Sequence, residues 1–214
     1  MKKLLIMKLL LVLLLQFPAG LTGQEVRAIH GMVASAHPLA SRAGIEILQE
    51  GGNAVDAAIA TALALAVVEP NASGLGGGGF MLIKLKDQPV ISIDYREIAP
   101  EQTLSSFYYN SPSSFDSLSR SGAHAIAVPG VPAGLTLALQ KYGTFSFSQV
   151  LAPATRLARE GFPVSQNLAD IIFMNYELIQ QDSSLSAIFL KDELPPEAGH
   201  IIKNPQLANT FEQL

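Results

Sequence analysis

The sequence predicts an α+β fold in which helices lie on a small antiparallel sheet, and three observations carry that reading. Residues 54–68 are almost all Ala, Leu, Ile and Val, the composition of a core helix rather than of a bilayer span, which needs ~20 apolar residues. Phe80-Met81-Leu82-Ile83 is continuously apolar, the mark of a strand covered on both faces. Asp87-Gln88-Pro89 then makes a turn, and residues 90–95 return with partial alternation, so the two runs pair as a hairpin.

Taken in order, residues 1–23 have the layout of a secretory signal: Lys2 and Lys3 at the start, an apolar core over 9–15 and a small-residue exit over 18–23. Lys8 breaks the apolar run, so no stable membrane span is expected, and no cysteine follows that could carry a lipid. The mature chain is expected to begin near Gln24 and to be exported, to the periplasm or the extracellular space, with 24–214 as its folded region. Met32-Val33-Ala34-Ser35-Ala36 reads as a short strand. Pro38 suits a first helical turn, where its missing N–H goes unnoticed, and Ile45 and Leu48, with Ala43 and Ile47 beside them, form the apolar face of that helix. Gly51 supplies its stop, Asn53 caps the next helix, and Asp56 falls at the third position, favourable toward an N–H-rich end.

Residues 104–122, rich in Ser, read as a long surface loop bordering the site. Pro129-Gly130-Val131-Pro132-Ala133-Gly134 leads into a helix ending at Gly143. Ser148 stands as cap of the next, with Leu151, Ala154, Leu157 and Ala158 on one face and Gly161 as stop. A third helix is expected over 166–180. Asn204-Pro205 starts a last one, whose Leu207, Phe211 and Leu214 repeat at i, i+4 and i+7 up to the final residue, the pattern expected of a truncated chain.

Composition narrows the chemistry. Apolar residues make up 49% of the 214 and charged residues 15%, ample for a packed core. A net charge of −4 gives no basic footprint, so nucleic acid is not expected as a partner. The absence of cysteine removes disulfides, thiolate metal sites and a Cys nucleophile. His30, His37, His124 and His200 are scattered with no i,i+4 pair, so no metal site is expected.

The stretch that organises the chain is residues 71–80, between the core helix and the first strand. Five of the six residues from Gly74 to Gly79 lack a side chain. That suits a backbone at positive φ, or one that another backbone or a ligand approaches closely. Gly74, Gly76 and Gly79 formally satisfy G-x-G-x-x-G, but the dinucleotide fingerprint requires strand before helix, and here Pro70 closes a helix that comes first. A packing contact and a ligand-facing loop both remain open on the residues alone. The Asn71-Ala72-Ser73 sequon is read as accidental.

The wording around this stretch resembles the γ-glutamyltransferase (γ-glutamyltranspeptidase, glutathione hydrolase) family, near the start of its large subunit. The resemblance rests on Gly51-Gly52-Asn53-Ala54-Val55-Asp56-Ala57-Ala58, Glu69-Pro70 and Gly74-Leu75-Gly76-Gly77-Gly78-Gly79-Phe80-Met81. It continues through Ala127-Val128-Pro129-Gly130, Lys141-Tyr142-Gly143 and Leu157-Ala158-Arg159-Glu160-Gly161-Phe162. It implies an N-terminal-nucleophile hydrolase fold, a four-layer αββα sandwich incomplete in this chain, with no cofactor. It implies a precursor that cleaves itself, leaving a heterodimer in which the new N-terminal Thr of the small subunit attacks γ-glutamyl amides such as glutathione, its own α-amine acting as base. No such Thr is recognised here: Thr61, Thr103, Thr136, Thr144, Thr155 and Thr210 stand in the wrong context, so no catalytic residue is assigned to this chain.

The candidate this chain does offer is Arg96, in Asp94-Tyr95-Arg96-Glu97-Ile98-Ala99-Pro100. On the residues alone it reads as an exposed arginine paired with a neighbouring acid. The resemblance instead implies that its planar fork grips the α-carboxylate of the γ-glutamyl substrate, with Glu97 orienting Arg96 or the loop. Two rival readings share the scaffold: a β-lactam (cephalosporin) acylase and a non-catalytic exported relative. The 214-residue chain alone is expected to be inactive and poorly stable.

Overall fold

The computed structural model describes residues 27–109, 118–120 and 122–214. The chain forms two units, Met1–His30 and Gly31–Leu214, and the elements below all belong to the second. The expected secretory signal lies outside the described residues.

Helix α1 (Pro38–Gln49) opens with Pro38 in its first turn and ends before Gly51, whose φ of +98° is the left-handed stop the sequence predicts. Its cap is a residue the sequence did not mark: Nδ1 of buried His37 accepts the Leu39 N–H at 3.1 Å. The buried face is Ala40, Ala43, Gly44 and Ile47, whereas Ile45 is exposed, so the expected apolar stripe is rotated. Gly44 explains the rotation. Helix α2 (Ala54–Val68) comes so near that a Cβ on Gly44 would meet the Ala57 carbonyl oxygen at 3.0 Å.

Helix α2 is buried at eleven of its fifteen positions and so forms the central rod. It packs on α1, on α4 (Val131–Tyr142) and on α5 (Phe147–Glu160). Asn53 and Asp56 close a capping box at its start. Strands β1 (Phe80–Lys84) and β2 (Val90–Asp94) pair antiparallel, Ile83 opposite Ile91 and Met81 opposite Ile93. Ile83 and Ile93 are buried, while Phe80 and Leu82 on the other face are exposed, Leu82 at 74%. The expected strand covered on both faces is therefore covered on one, because among the described residues only one side of this two-stranded ladder meets helices. Residues 32–36 form no strand, having no ladder partner among the described residues.

The expected loop over 104–122 contains a short helix, α3 (Ser105–Tyr109), and is followed by a 3-10 turn, Ala123–Ala125; residues 110–117 and 121 lie outside the described set. Ser146, not Ser148, caps α5. Its side chain accepts the Gln149 N–H, and the Gln149 side chain accepts the Ser146 N–H in return. The predicted helix over 166–180 divides into α6 (Gln166–Met174) and α7 (Tyr176–Gln180). At the break, Asn175 Nδ2 donates to the Ile171 carbonyl at 2.8 Å, a side chain competing with the backbone ladder. After α8 (Ser183–Phe189), a second ladder joins β3 (Phe162–Pro163) to β4 (Ile201–Ile202). Helix α9 (Pro205–Gln213), capped by Asn204, seats Ala208 and Phe211 in the core against α5, leaving Leu214 exposed. Phe211, on the apolar repeat of this last helix, is 1% exposed. Arg156 Nη2 donates to both Glu46 carboxylate oxygens and Arg159 Nη2 to Glu212 Oε1, ion pairs that fasten α5 to α1 and α9. Helices on small antiparallel ladders are the α+β class the sequence predicts. No described helix is long and apolar enough to cross a membrane.

Candidate functional site

The chemistry-bearing corner begins where β2 runs out. Tyr95 extends the hairpin by donating its N–H to the Gly79 carbonyl at 3.0 Å. Two residues beyond Arg96 a new pairing starts, with Ile98 and Val128 exchanging N–H···O bonds of 3.2 and 2.9 Å. Arg96 occupies the interval between, its N–H donated to Asp94 Oδ1 at 3.0 Å. Its side chain is exposed, and the guanidinium makes no hydrogen bond or ion pair among the described residues. The acid-paired alternative for Arg96 is thus not what this corner builds. Glu97 does not pair with it either; half-buried, it lies against Gly78.

The glycine run explains how this corner is held. None of its glycines has a positive φ, so that part of the expectation fails. Close approach accounts for the end of the run. A Cβ on Gly78 would lie 2.6 Å from Arg96 Cα, and one on Gly79 would meet the Tyr95 ring at 2.9–3.1 Å. Two further glycines close on the same residues from α4 and its approach. A Cβ on Gly130 would sit 2.7 Å from the Tyr95 carbonyl carbon, and one on Gly134 2.6 Å from Tyr95 Cδ1. The Gly77 carbonyl accepts the Gly130 and Val131 N–H groups at 2.9 and 3.1 Å, tying the run to the start of α4.

By contrast Gly76 and Gly77 have open space where a Cβ would project. With Gly74, Asn71, Ser73 and Tyr95 they line a cleft of about 460 Å³. The two readings of the run divide along its length: packing at Gly78 and Gly79, an open face before them. Burial raises the Tyr95 phenol pKa, so the hydroxyl stays protonated through neutral pH. Gly130 and Gly134, four apart on one helical face, were the signal in the sequence for this packing.

The other notable group is Asp56, fully buried beneath the start of α2. Burial pushes its pKa up, but hydrogen bonds from the Thr144 hydroxyl and the Asn53, Thr144 and Phe145 N–H groups outweigh that and hold it below 3.8. The distances are 2.7 Å to the hydroxyl, 2.8 Å to Asn53 N, 2.9 Å to Thr144 N and 3.2 Å to Phe145 N. With four donors satisfied internally, this carboxylate is a structural fastening, not a free base.

Four of the six threonines named above are occupied in the same way. Thr61, Thr155 and Thr210 hydroxyls donate to the carbonyls of Ala57, Leu151 and Gln206, and Thr144 to Asp56. The described residues bring no three metal-ligand side chains together.

A sequence model of the family described as Gamma-glutamyltranspeptidase matches residues 40–214. The glutathione hydrolase proenzyme of Escherichia coli (strain K12) is 42% identical over 191 residues, covering 88% of this chain and 33% of the relative. The crystal structure of Helicobacter pylori gamma-glutamyltranspeptidase superposes with a TM-score of 0.82 at 37% identity, covering 88% of this chain and 55% of that one. The cephalosporin acylase from Bacillus halodurans superposes with a TM-score of 0.73 at 29% identity, covering 92% and 38%. The chain spans about a third of the length of the curated relatives it matches.

Proposed function

Because this chain belongs to the gamma-glutamyltranspeptidase family and shares its N-terminal-nucleophile hydrolase fold over the part it covers, we propose that it is the N-terminal part of the large-subunit region of a glutathione hydrolase and γ-glutamyltransferase precursor. The proposed partner is a small subunit cut from the same precursor, whose N-terminal Thr attacks the γ-carbonyl of glutathione or another γ-glutamyl compound. The amine leaves with a proton, a γ-glutamyl ester forms on the Thr oxygen, and water or a second amine takes the acyl group. This chain's contribution in that reaction is recognition. Arg96 presents a planar fork to the substrate α-carboxylate, and the observation that supports this is a solvent-facing guanidinium without an internal partner on a backbone that is tightly held.

In the full precursor, Arg96→Ala is expected to raise KM for a γ-glutamyl anilide, losing on the order of 1.5–3 kcal/mol of binding. Arg96→Lys should recover little, since an ammonium has no fork. An unchanged KM in Arg96→Ala would remove the clamp role. The proposed destination is outside the cytoplasm, on the strength of the signal-like residues 1–23. N-terminal sequencing of the mature protein should read from near Gln24; an exported protein still carrying Met1 would contradict it.

A further inference from the structure

Resting on the carboxylate-clamp reading above, we infer that Gly78 and Gly130 are positioning residues for Arg96, setting where its guanidinium reaches by bracketing its backbone. No side-chain contact orients the guanidinium, so its placement begins at its Cα. Gly130 lies on the peptide group before Arg96. A Cβ there would sit 2.7 Å from the Tyr95 carbonyl carbon and 3.1 Å from the Arg96 oxygen. Gly78 lies on the peptide group after it. A Cβ there would be driven into the Glu97 nitrogen and come within 2.6 Å of Arg96 Cα. Real Cβ atoms essentially never approach within 3.0 Å, and the obstacles here include backbone, which cannot swing aside as a side chain does.

The bracket is a single hydrogen-bonded unit. Gly77, next to Gly78, accepts from the Gly130 N–H at 2.9 Å, so the two glycines cannot drift apart without breaking that bond. The Tyr95 ring packs on Gly79 and Gly134, and Asp94 holds the Arg96 N–H. A displacement of Arg96 Cα moves the anchor from which that side chain reaches, and binding constellations are held to within about 0.5 Å. Alanine at position 78 therefore acts on the substrate carboxylate through Arg96, without touching the substrate itself.

The test measures kcat/KM in the full, self-cleaved enzyme for a γ-glutamyl anilide and for 4-aminobutanoyl anilide, which lacks the α-carboxylate. The ratio of the two reads the carboxylate contact alone and is insensitive to a general loss of folded enzyme. Arg96→Ala should lower the ratio about tenfold or more. Gly78→Ala should lower it comparably, through KM, and the double variant should fall no further than Arg96→Ala. Gly79→Ala, whose Cβ would have the far end of the Tyr95 ring as its nearest obstacle, should lower it a few-fold and serves if Gly78→Ala does not fold. A ratio that falls in Arg96→Ala but holds in both glycine variants, or losses that add in the double variant, overturns the positioning role and leaves the clamp standing. A ratio unmoved by Arg96→Ala overturns both.

Discussion

Asp56 and Arg96 show how one fold treats two charges. Both sit beside a glycine that lets the chain come close: a Cβ on Gly143 would lie 2.6 Å from Asp56 Oδ1, and one on Gly78 2.6 Å from Arg96 Cα. Asp56 is fully buried, and four donors from two distant stretches of chain converge on it. Arg96 has its peptide groups held as firmly, yet its guanidinium is exposed with no partner among the described residues. Exposure by itself does not make the difference. Arg156 and Arg159 are exposed too, and each is paired, with Glu46 and with Glu212. A charge whose bonds are all made internally holds the fold together. A charge on a rigid mount with its bonds unmade is available to another molecule.

The sharpest way to break this comparison is to remove each charge and weigh the effect on stability. Asp56→Ala removes a buried carboxylate and leaves its four part-buried donors without an acceptor, and should lose about 3 kcal/mol or more in urea unfolding. Arg96→Ala should stay within about 0.5 kcal/mol, as surface changes do. Equal losses would show that Arg96 is structural after all. Thr144→Val asks for a smaller part of the same network. It removes one hydroxyl donor at 2.7 Å and leaves the backbone N–H groups, with an expected loss of roughly 1.5 kcal/mol. A loss as large as that of Asp56→Ala would mean the hydroxyl dominates the network.

The smallest effect is read through pH. Desolvation holds His37 below its ordinary 6.5, with Glu69 opposing, and its Nδ1 must stay unprotonated to accept the Leu39 N–H. The unfolded chain therefore binds this proton first, and the contribution of neutral His37 is lost as pH falls below about 6.5. Asp56 acts in a lower window, since its pKa is held below 3.8 and its contribution fades only as pH falls through that region. His37→Asn keeps a capping oxygen and should flatten the upper part of the stability–pH curve while leaving the lower part. A slope that survives the substitution would assign the upper window to another group.

Much of this was legible in the sequence, for local reasons. Pro38, Gly51, Asn53 and Gly161 marked helix ends because cap and stop chemistry acts within a few residues. The hairpin was legible from its turn and two apolar runs. What failed depended on distant partners. Ile45 looked like core until Gly44 was seen to set the contact with α2, and Phe80 and Leu82 looked doubly covered because apolarity does not say which face meets a neighbour. At the candidate site, Arg96 was singled out by a motif that resembles the family's, and the glycine run by its composition. The fit of Gly130 and Gly134 onto Tyr95 joins residues some forty positions apart in sequence, and only three dimensions bring them together.

The Asp56 network also imposes an order on folding. Its link to Asn53 is local and can form as soon as the first turn of α2 does, whereas Thr144 lies 88 residues further along the chain. A charge half-satisfied in a closing core is worse placed than one still in water, so α2 gains little by burying its start before the stretch after α4 arrives. Contacts of such separation are formed late, once the loop between them has been closed. The docking of residues 144 and 145 then becomes the event that commits the helices, and weakening it should shorten the lifetime of the native state more than it slows the approach to it.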